Sequence, residues 1–145
     1  MKNKTIELLC KIAETRDELD QAFALRVEVF VMEQDVPVEL ELDELDKIAT
    51  HFIATHEQKV IGCGRIVMAG SEARIGRVAV KKCYRCKGVG RQLMMKMIDT
   101  AINLGATEIT LHAQIQVVPF YESLGFSKFG NIFLDAGIEH IEMRL

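Results

Sequence analysis

The sequence lacks the features that mark a membrane or secreted protein. No apolar run approaches the roughly 20 residues of a membrane-spanning helix, and residues 1–10 lack the apolar core of a signal peptide. Four cysteines without an export signal are typical of reduced thiols rather than of a disulfide framework. We therefore expect a cytoplasmic protein with no membrane partner.

An excess of basic residues is also missing. The 18 basic and 21 acidic residues give a formal net charge of -3 at pH 7 with His neutral, which does not favour a general nucleic-acid-binding protein. The 145 residues, 49% of them hydrophobic, are enough for a buried core without a disulfide or a structural metal. We expect one domain over residues 1–145, with no metal site and no nucleic-acid partner.

The charges that are present lie unevenly along the chain. Seven acidic residues and no basic one fall between Glu33 and Asp46, and eight basic residues and no acidic one fall between Arg74 and Lys96. Each run alone is compatible with a solvated surface. Together they suggest that the protein binds ligand charges of opposite sign.

The hydrophobic periodicity predicts an alternation of strands and helices. A Thr-x-x-Glu capping box at Thr15 opens the first helix, and apolar residues recurring every four positions mark a second helix that ends at Gly105. The strand, helix, strand unit over 74–113 makes its two strands parallel. The predicted strands are 6–13, 51–55, 59–68, 74–80, 108–113, 127–129 and 138–144, and the predicted helices are 15–32, 88–104 and 119–124. The first helix is expected to place on one face Leu19, Phe23, Val27, Phe30 and Val31.

The strongest local signal is the segment Arg85-Cys86-Lys87-Gly88-Val89-Gly90, where a strand gives way to an amphipathic helix. The first N–H groups of a helix have no partner within it, and the helix dipole is positive there, so this turn can bind a phosphate. The two glycines permit a close approach, and Arg85, Lys87 and Arg91 add positive charge suited to a diphosphate. The spacing differs from that of a P-loop or a Rossmann dinucleotide site. The alternative is a glycine-rich turn with ordinary surface bases.

Two further motifs flank that segment. Gly76-Arg77-Val78-Ala79-Val80 precedes it and Phe120-Tyr121-Glu122-Ser123-Leu124-Gly125-Phe126 follows it, and the combination resembles the GNAT superfamily of acyl-CoA-dependent N-acetyltransferases over nearly the whole chain. The segments 26–34, 111–114 and 137–140 resemble its small bacterial ElaA-like and YjcF-like branch. The resemblance implies an α/β (α+β) single domain with helices on both faces of the sheet. That sheet is expected to be mixed and mostly antiparallel, with about six to seven strands and a splayed parallel pair.

The resemblance also implies a site for acetyl-CoA as cosubstrate. Backbone amides of the glycine-rich turn would hold the coenzyme A diphosphate, and the strand at 78–80 would pair with the pantetheine arm between the splayed strands. Gln114 stands where many relatives have Asn, and its amide would contact pantetheine. The expected cofactor-binding residues are Val78, Ala79, Val80, Arg85, Cys86, Lys87, Gly88, Val89, Gly90, Arg91 and Gln114.

Two residues are the candidates for catalytic proton transfer. Acetyl transfer to an amine needs a neutral amine and a proton for the departing thiolate. The resemblance puts Tyr121 near the thioester sulfur, where a phenol of pKa about 10 can protonate a thiolate of pKa about 8.5; core packing is its alternative role. Glu33 is the candidate base, with a solvated helix-end carboxylate as the alternative. His112 and His140 also titrate near neutrality, although a His within an apolar strand is commonly structural.

The predicted reaction is direct transfer of an acetyl group from acetyl-CoA to a primary amine, on a small molecule or a peptide, within a ternary complex. The charge runs do not identify this acceptor, since an acidic segment attracts a cationic amine but also stabilises its protonated form. A non-catalytic acyl-CoA sensor is the alternative, and Cys83-Tyr84-Arg85-Cys86 leaves a thiol redox protein as a further one. A homodimer and a monomer both stay open.

Overall fold

Seven strands form one mixed sheet in the computed structural model, which describes residues 7–145. The strands are β1 Leu9–Ile12, β2 Thr50–His56, β3 Lys59–Ala69, β4 Glu72–Val80, β5 Glu108–Gln114, β6 Ser127–Asp135 and β7 Ile138–Arg144. Their spatial order is β1-β2-β3-β4-β5-β7-β6, with every neighbouring pair antiparallel except β4 and β5. The predicted α+β sheet with one parallel pair is confirmed, while Ile6 of the predicted first strand lies outside the described residues.

Helices connect the strands of the sheet. The α-helices are α1 Arg16–Arg26, α2 Val38–Glu41, α3 Val89–Asn103 and α4 Val118–Ser123, with 3-10 turns at Glu44–Lys47, Lys82–Tyr84 and Ile115–Val117. The predicted capping box is present, since Thr15 accepts from the backbone N–H of Glu18 and the Glu18 side chain accepts from that of Thr15. Beyond α1 the chain continues as a π-helical turn, Val27–Glu33. No helix in residues 7–145 is long and apolar enough to cross a membrane.

The helices cover both faces of the sheet, as predicted. On one face α3 buries, at 1% exposure or less, Val89, Leu93, Met97 and Ala101. On the other face α1 and the π-helical turn place Ala22, Leu25 and Val29 against Ile53, Cys63 and Ala79. The apolar residues predicted to share one face of the first helix are half-buried, and the fully buried residues there are Ala22, Leu25, Arg26 and Val29; the half-buried ones are Leu19, Phe23, Val27, Phe30 and Val31. The sheet-facing stripe includes Arg26, which is 2% exposed. A pattern of hydrophobic residues cannot predict a buried arginine, because its carboxylate partners lie elsewhere in the chain.

Candidate functional site

The parallel strands β4 and β5 pair over only part of their length. The ladder runs from Glu72 opposite Glu108 to Ile75 opposite Leu111 and goes no further. β4 nevertheless continues to Val80, and β5 continues beyond its last β4 pair while still pairing with β7. The two strands therefore splay apart, and each presents backbone N–H and C=O groups along the edge that faces the other.

A cavity of about 1070 Å³ runs through this gap and over the adjoining face of the sheet. Its walls come from β4, β5, β7, α2, α4, the start of α3 and the middle of the π-helical turn. Of the predicted site residues, it is lined by Val78, Ala79, Val80, Arg85, Cys86, Gly88, Val89, Gly90, Arg91, Gln114 and Tyr121. Lys87 and Glu33 are the two predicted site residues that do not line it.

The first turn of α3 closes one end of the cavity. Gly88 is its N-cap with φ of +83°, and no side chain caps the first N–H groups there. Gly90 lies so close to Phe120 that an added Cβ would be 3.3 Å from the ring atom Cζ. The uncapped amides, the positive end of the helix dipole and the missing side chains together suit an anionic group. They fit the diphosphate that the sequence predicted for this turn.

The charged side chains beside that turn are arranged differently from the prediction. Arg85 forms an ion pair with Glu33, Nη1 to Oε1 at 2.9 Å and Nη2 to Oε2 at 3.0 Å, and its Nε donates to the Val80 carbonyl at 2.9 Å. Lys87 turns its ammonium to 5.8 Å from the ring centroid of Tyr84. Glu33 therefore stands at the mouth of the cavity and occupies the guanidinium that was expected to face a diphosphate.

Gln114 belongs to a short chain of amides at the other side of the gap. Its Nε2 donates to Oε1 of Gln34 at 2.7 Å, and its Oε1 accepts from Nε2 of Gln116 at 2.6 Å. Sequence reasoning missed Gln34, which is 80 positions away from Gln114. The neighbouring residues Glu33 and Gln34 thus contact the two opposite walls of the cavity.

Tyr121 lies on α4, with its side chain largely buried at the cavity wall. Its ring meets Phe120 and Phe126 edge-on, with centroids 5.1 and 6.0 Å away. Burial raises the pKa of Tyr121 to about 12, so the phenol keeps its proton at neutral pH. The same residue packs in the core and presents a proton donor to the cavity, so the two predicted roles are compatible.

Two imidazoles line the cavity on β5 and on its neighbour β7. His112 of β5 and His140 of β7 lie on either side of Phe133, with ring centroids 4.9 and 6.0 Å from it. Nδ1 of His140 is 2.8 Å from the Ile138 carbonyl, and since a carbonyl only accepts, this bond assigns the proton to Nδ1. In the neutral ring Nε2 is then an acceptor, which is the state that a general base requires.

The acidic segment, residues 40–46, does not present its charge to a ligand as the sequence suggested. Glu41, Asp43 and Asp46 form ion pairs with Arg26, Arg65 and Arg77. Burial alone raises the pKa of Asp46, but the hydrogen bonds and charges of Arg26 and Arg65 outweigh it and lower the pKa to about 2. These three carboxylates are neutralised internally, so the expectation of a free anionic patch is wrong for them.

The acetyltransferase (GNAT) domain family matches residues 13–145. The chain belongs to the GNAT acetyltransferase family. Among GNAT relatives, the uncharacterized N-acetyltransferase YjcF of Bacillus subtilis (strain 168) is 40% identical over 133 residues, covering 91% of this chain and 95% of that protein. The sequence-level resemblance to this family and to its YjcF-like branch is confirmed, and the GNAT fold leaves no support for a thioredoxin-like role of the exposed Cys83 and Cys86.

Solved GNAT structures agree with this assignment. An acyl-CoA N-acyltransferase from Pseudomonas aeruginosa superposes with a TM-score of 0.83 at 31% identity, covering 96% of this chain and 98% of that one. ElaA from Escherichia coli superposes with a TM-score of 0.84 at 28% identity, covering 96% and 98%. The protein is thus an acyltransferase of the N-acetyltransferase type, and this GNAT fold takes an acyl-CoA as its donor. Within residues 7–145 no group of three or more His, Cys, Asp or Glu is arranged to hold a metal ion.

Proposed function

We propose that this protein transfers an acetyl group from acetyl-CoA to a primary amine of a small molecule or peptide, by direct attack of the amine in a ternary complex. The observation that carries the proposal is the single cavity that joins an uncapped helix N-terminus, an unpaired strand edge and a buried phenol. These three features supply an anion site, a slot for an extended arm and a proton donor. A bound thioester would present its carbonyl between them.

The cofactor would lie along the wall made by β4 and α3. The amides of residues 85–91 would hold the diphosphate, and the free edge of β4 at Val78–Val80 would pair with the amide groups of pantetheine as an added strand. Gln114 would contact pantetheine through the Nε2 hydrogen or the Oε1 lone pair that its bonds to Gln34 and Gln116 do not use. Arg85 would bind the diphosphate through the guanidinium hydrogens that its bonds to Glu33 and the Val80 carbonyl do not use, and more fully if Glu33 releases it.

Tyr121 would donate a hydrogen bond to the sulfur as the thiolate leaves. With the phenol pKa at about 12, full proton transfer to a thiolate of pKa about 8.5 costs about 5 kcal/mol, against about 2 kcal/mol for an unburied phenol of pKa about 10. A hydrogen bond that strengthens as charge develops avoids most of that cost. The chain's own contribution at this point is a protonated donor on a largely buried side chain.

The geometry supports His140 rather than Glu33 as the group that takes the proton from the attacking amine. His140 lines the cavity with Nδ1 already bound to a carbonyl, whereas Glu33 lies outside it and is held by a guanidinium. Glu33 stays the second hypothesis, because a bound diphosphate would compete for Arg85 and free the carboxylate.

The test is an acetyl-CoA-dependent screen across amino acids, polyamines, aminoglycosides and peptides with free N-termini. Products and free CoA are measured by mass spectrometry, because exposed Cys83 and Cys86 would react with a thiol reagent. Transfer to at least one amine, absent when the amine is omitted, is the expected result. Acetyl-CoA binding without CoA release for any amine would instead identify the sensor alternative.

We also infer a cytoplasmic location, because all four cysteines are free thiols in the structure, as in a reducing compartment. A homodimer is a separate hypothesis, and sedimentation equilibrium at micromolar concentration distinguishes it from a monomer.

A further inference from the structure

The acidic segment has no part in the proposed transfer chemistry, yet much of it is fixed against the sheet. Arg26 and Glu41 are 2% and 3% exposed, and their Nε to Oε1 distance is 2.9 Å. Asp46 accepts from Arg26 at 2.7 Å and from Arg65 at 2.8 Å, while Arg65 also donates to Asp43 at 2.7 Å. This ion cluster holds the segment in one place over β3 and β4.

β4 has a bulge where the cluster touches it. The register between β3 and β4 shifts between Cys63 and Arg65, so that Gly64 alone faces both Arg77 and Val78. Arg77 has φ of +54°, in the left-handed region that residues other than glycine rarely adopt. The bulge comes directly after the stretch in which β4 pairs with β5. It therefore lies at the point where the two parallel strands separate.

The side chain of Arg77 ties this bulge to the acidic segment. Nε donates to the Glu41 carbonyl at 3.1 Å and lies 3.2 Å from Oε2 of the same residue. Nη2 donates to the Leu40 carbonyl and to Oδ2 of Asp43, both at 3.1 Å. The thiol of Cys63 contacts the Arg77 carbonyl at 3.8 Å. Acceptors on a fixed segment thus hold the one residue of β4 whose backbone is strained.

We propose that Arg77 is a positioning residue for the pantetheine arm: its guanidinium, anchored on the acidic segment, maintains the bulge that keeps the edge of β4 free. This inference rests on the proposed function, since it assigns a role within the same site. In an ordinary extended conformation at Arg77, β4 would continue its parallel ladder along β5, and the gap would close. The buried ion cluster is then the anchor of an open cofactor slot.

The test compares Arg77→Ala with wild type for two ligands, CoA and ADP, by isothermal titration calorimetry. Alanine keeps the Cβ that makes a positive φ unfavourable, so this variant removes the tether while the strain that opposes the bulge remains. ADP carries the diphosphate but no pantetheine. We expect CoA affinity to fall at least tenfold and ADP affinity to change less than twofold. Arg74→Ala, which removes a cation from the same strand, is the matched control and keeps CoA affinity within twofold.

Equal losses for both ligands would overturn the inference, because they indicate a general or electrostatic effect. Unchanged CoA affinity in Arg77→Ala would overturn it as well. If that variant does not fold, Arg77→Lys decides by the same CoA to ADP comparison, since one ammonium cannot reach the four acceptors of the planar fork. Wild-type protein that binds no CoA would instead contradict the proposed function itself. If the wild type turns over substrate but substitution of Arg77 leaves CoA affinity unchanged, this inference alone is contradicted.

Discussion

Removing the hydroxyl of Tyr121 is the smallest change that separates its proposed role in proton donation from its role in packing. Tyr121→Phe keeps the ring against Phe120 and Phe126 and removes only the donor. We expect kcat to fall about 100-fold, the lower end of the usual contribution of a positioned acid, with acetyl-CoA affinity within twofold. Steady-state kinetics and calorimetry measure the two quantities. Tyr84→Phe, at the only other tyrosine, is the control, and an unaltered kcat in Tyr121→Phe would remove the phenol from the mechanism.

The two candidate bases differ in what their loss should do to turnover. We expect kcat at a saturating amine concentration to fall about 100-fold in His140→Gln, because a glutamine amide cannot accept a proton from the attacking amine. Steady-state kinetics should show less than a twofold change of kcat in Glu33→Gln. The reverse result would assign the base to Glu33 and reject His140.

Glu33→Gln has a further expected effect on the cofactor. Loss of the carboxylate frees the Arg85 guanidinium, which is 38% exposed, for a diphosphate. Because exposed ion pairs contribute little, we expect acetyl-CoA affinity to rise only about two- to fivefold at low salt. Calorimetry at two ionic strengths measures the gain, which salt should reduce. Weaker binding in Glu33→Gln would show that the ion pair instead holds the turn in its binding conformation.

The two ends of α3 allow backbone strain to be separated from ligand binding. Gly88 begins the helix at φ of +83° and Gly105 follows it at φ of +93°, and an added Cβ meets nothing within 4 Å at either position. Alanine at either position should lower the free energy of unfolding by about 1 kcal/mol through the same strain. Only Gly88→Ala should also weaken acetyl-CoA binding, because it distorts the amides of the first turn. Denaturation and calorimetry on both variants check this, and equal loss of binding would contradict it.

Local periodicity is sufficient to predict α3 and the strands on either side of it, because each is stabilised by a regular apolar stripe. β6 is different. It extends over Ser127–Asp135 rather than 127–129, since Gly130 and a register shift between Phe129 and Phe133 interrupt its pattern, and its side chains are mostly exposed at the sheet edge. A strand without a buried face leaves little alternation in the sequence.

The glycine-rich turn and the splayed strands follow from contiguous motifs, and the residues predicted there line one cavity, except for Lys87. The contacts that change their interpretation join distant positions. Arg85 meets Glu33 across 52 positions and Gln114 meets Gln34 across 80. A charge run reads as solvated surface unless its partners are known, and the partners of the acidic segment come from a helix and two strands. Side-chain pairing of this kind is set by topology, not by local pattern.

The buried ion cluster should make the stability of the whole molecule sensitive to acid. The pKa of Asp46 is about 2 in the folded protein and near 3.9 in the unfolded chain, so its contribution of about 2 kcal/mol is complete above pH 4 and is lost as the pH falls towards 2. Hydrogen bonding to Arg65 lowers the pKa of Asp43 and gives the same sign. Burial raises the pKa of Glu41, so that residue changes stability in the opposite direction as the pH falls.

The difference between wild type and Asp46→Asn isolates one carboxylate from these opposing effects. At pH 7 the variant should be less stable by at least about 2 kcal/mol, because Arg26 and Arg65 each lose a charged partner. The difference should shrink between pH 4 and pH 2, where wild-type Asp46 itself takes up a proton. Urea denaturation across this range measures it, with Asp99→Asn on the exposed side of α3 as the control. A difference that stays constant with pH would mean that the loss comes from altered packing and not from the charge of Asp46.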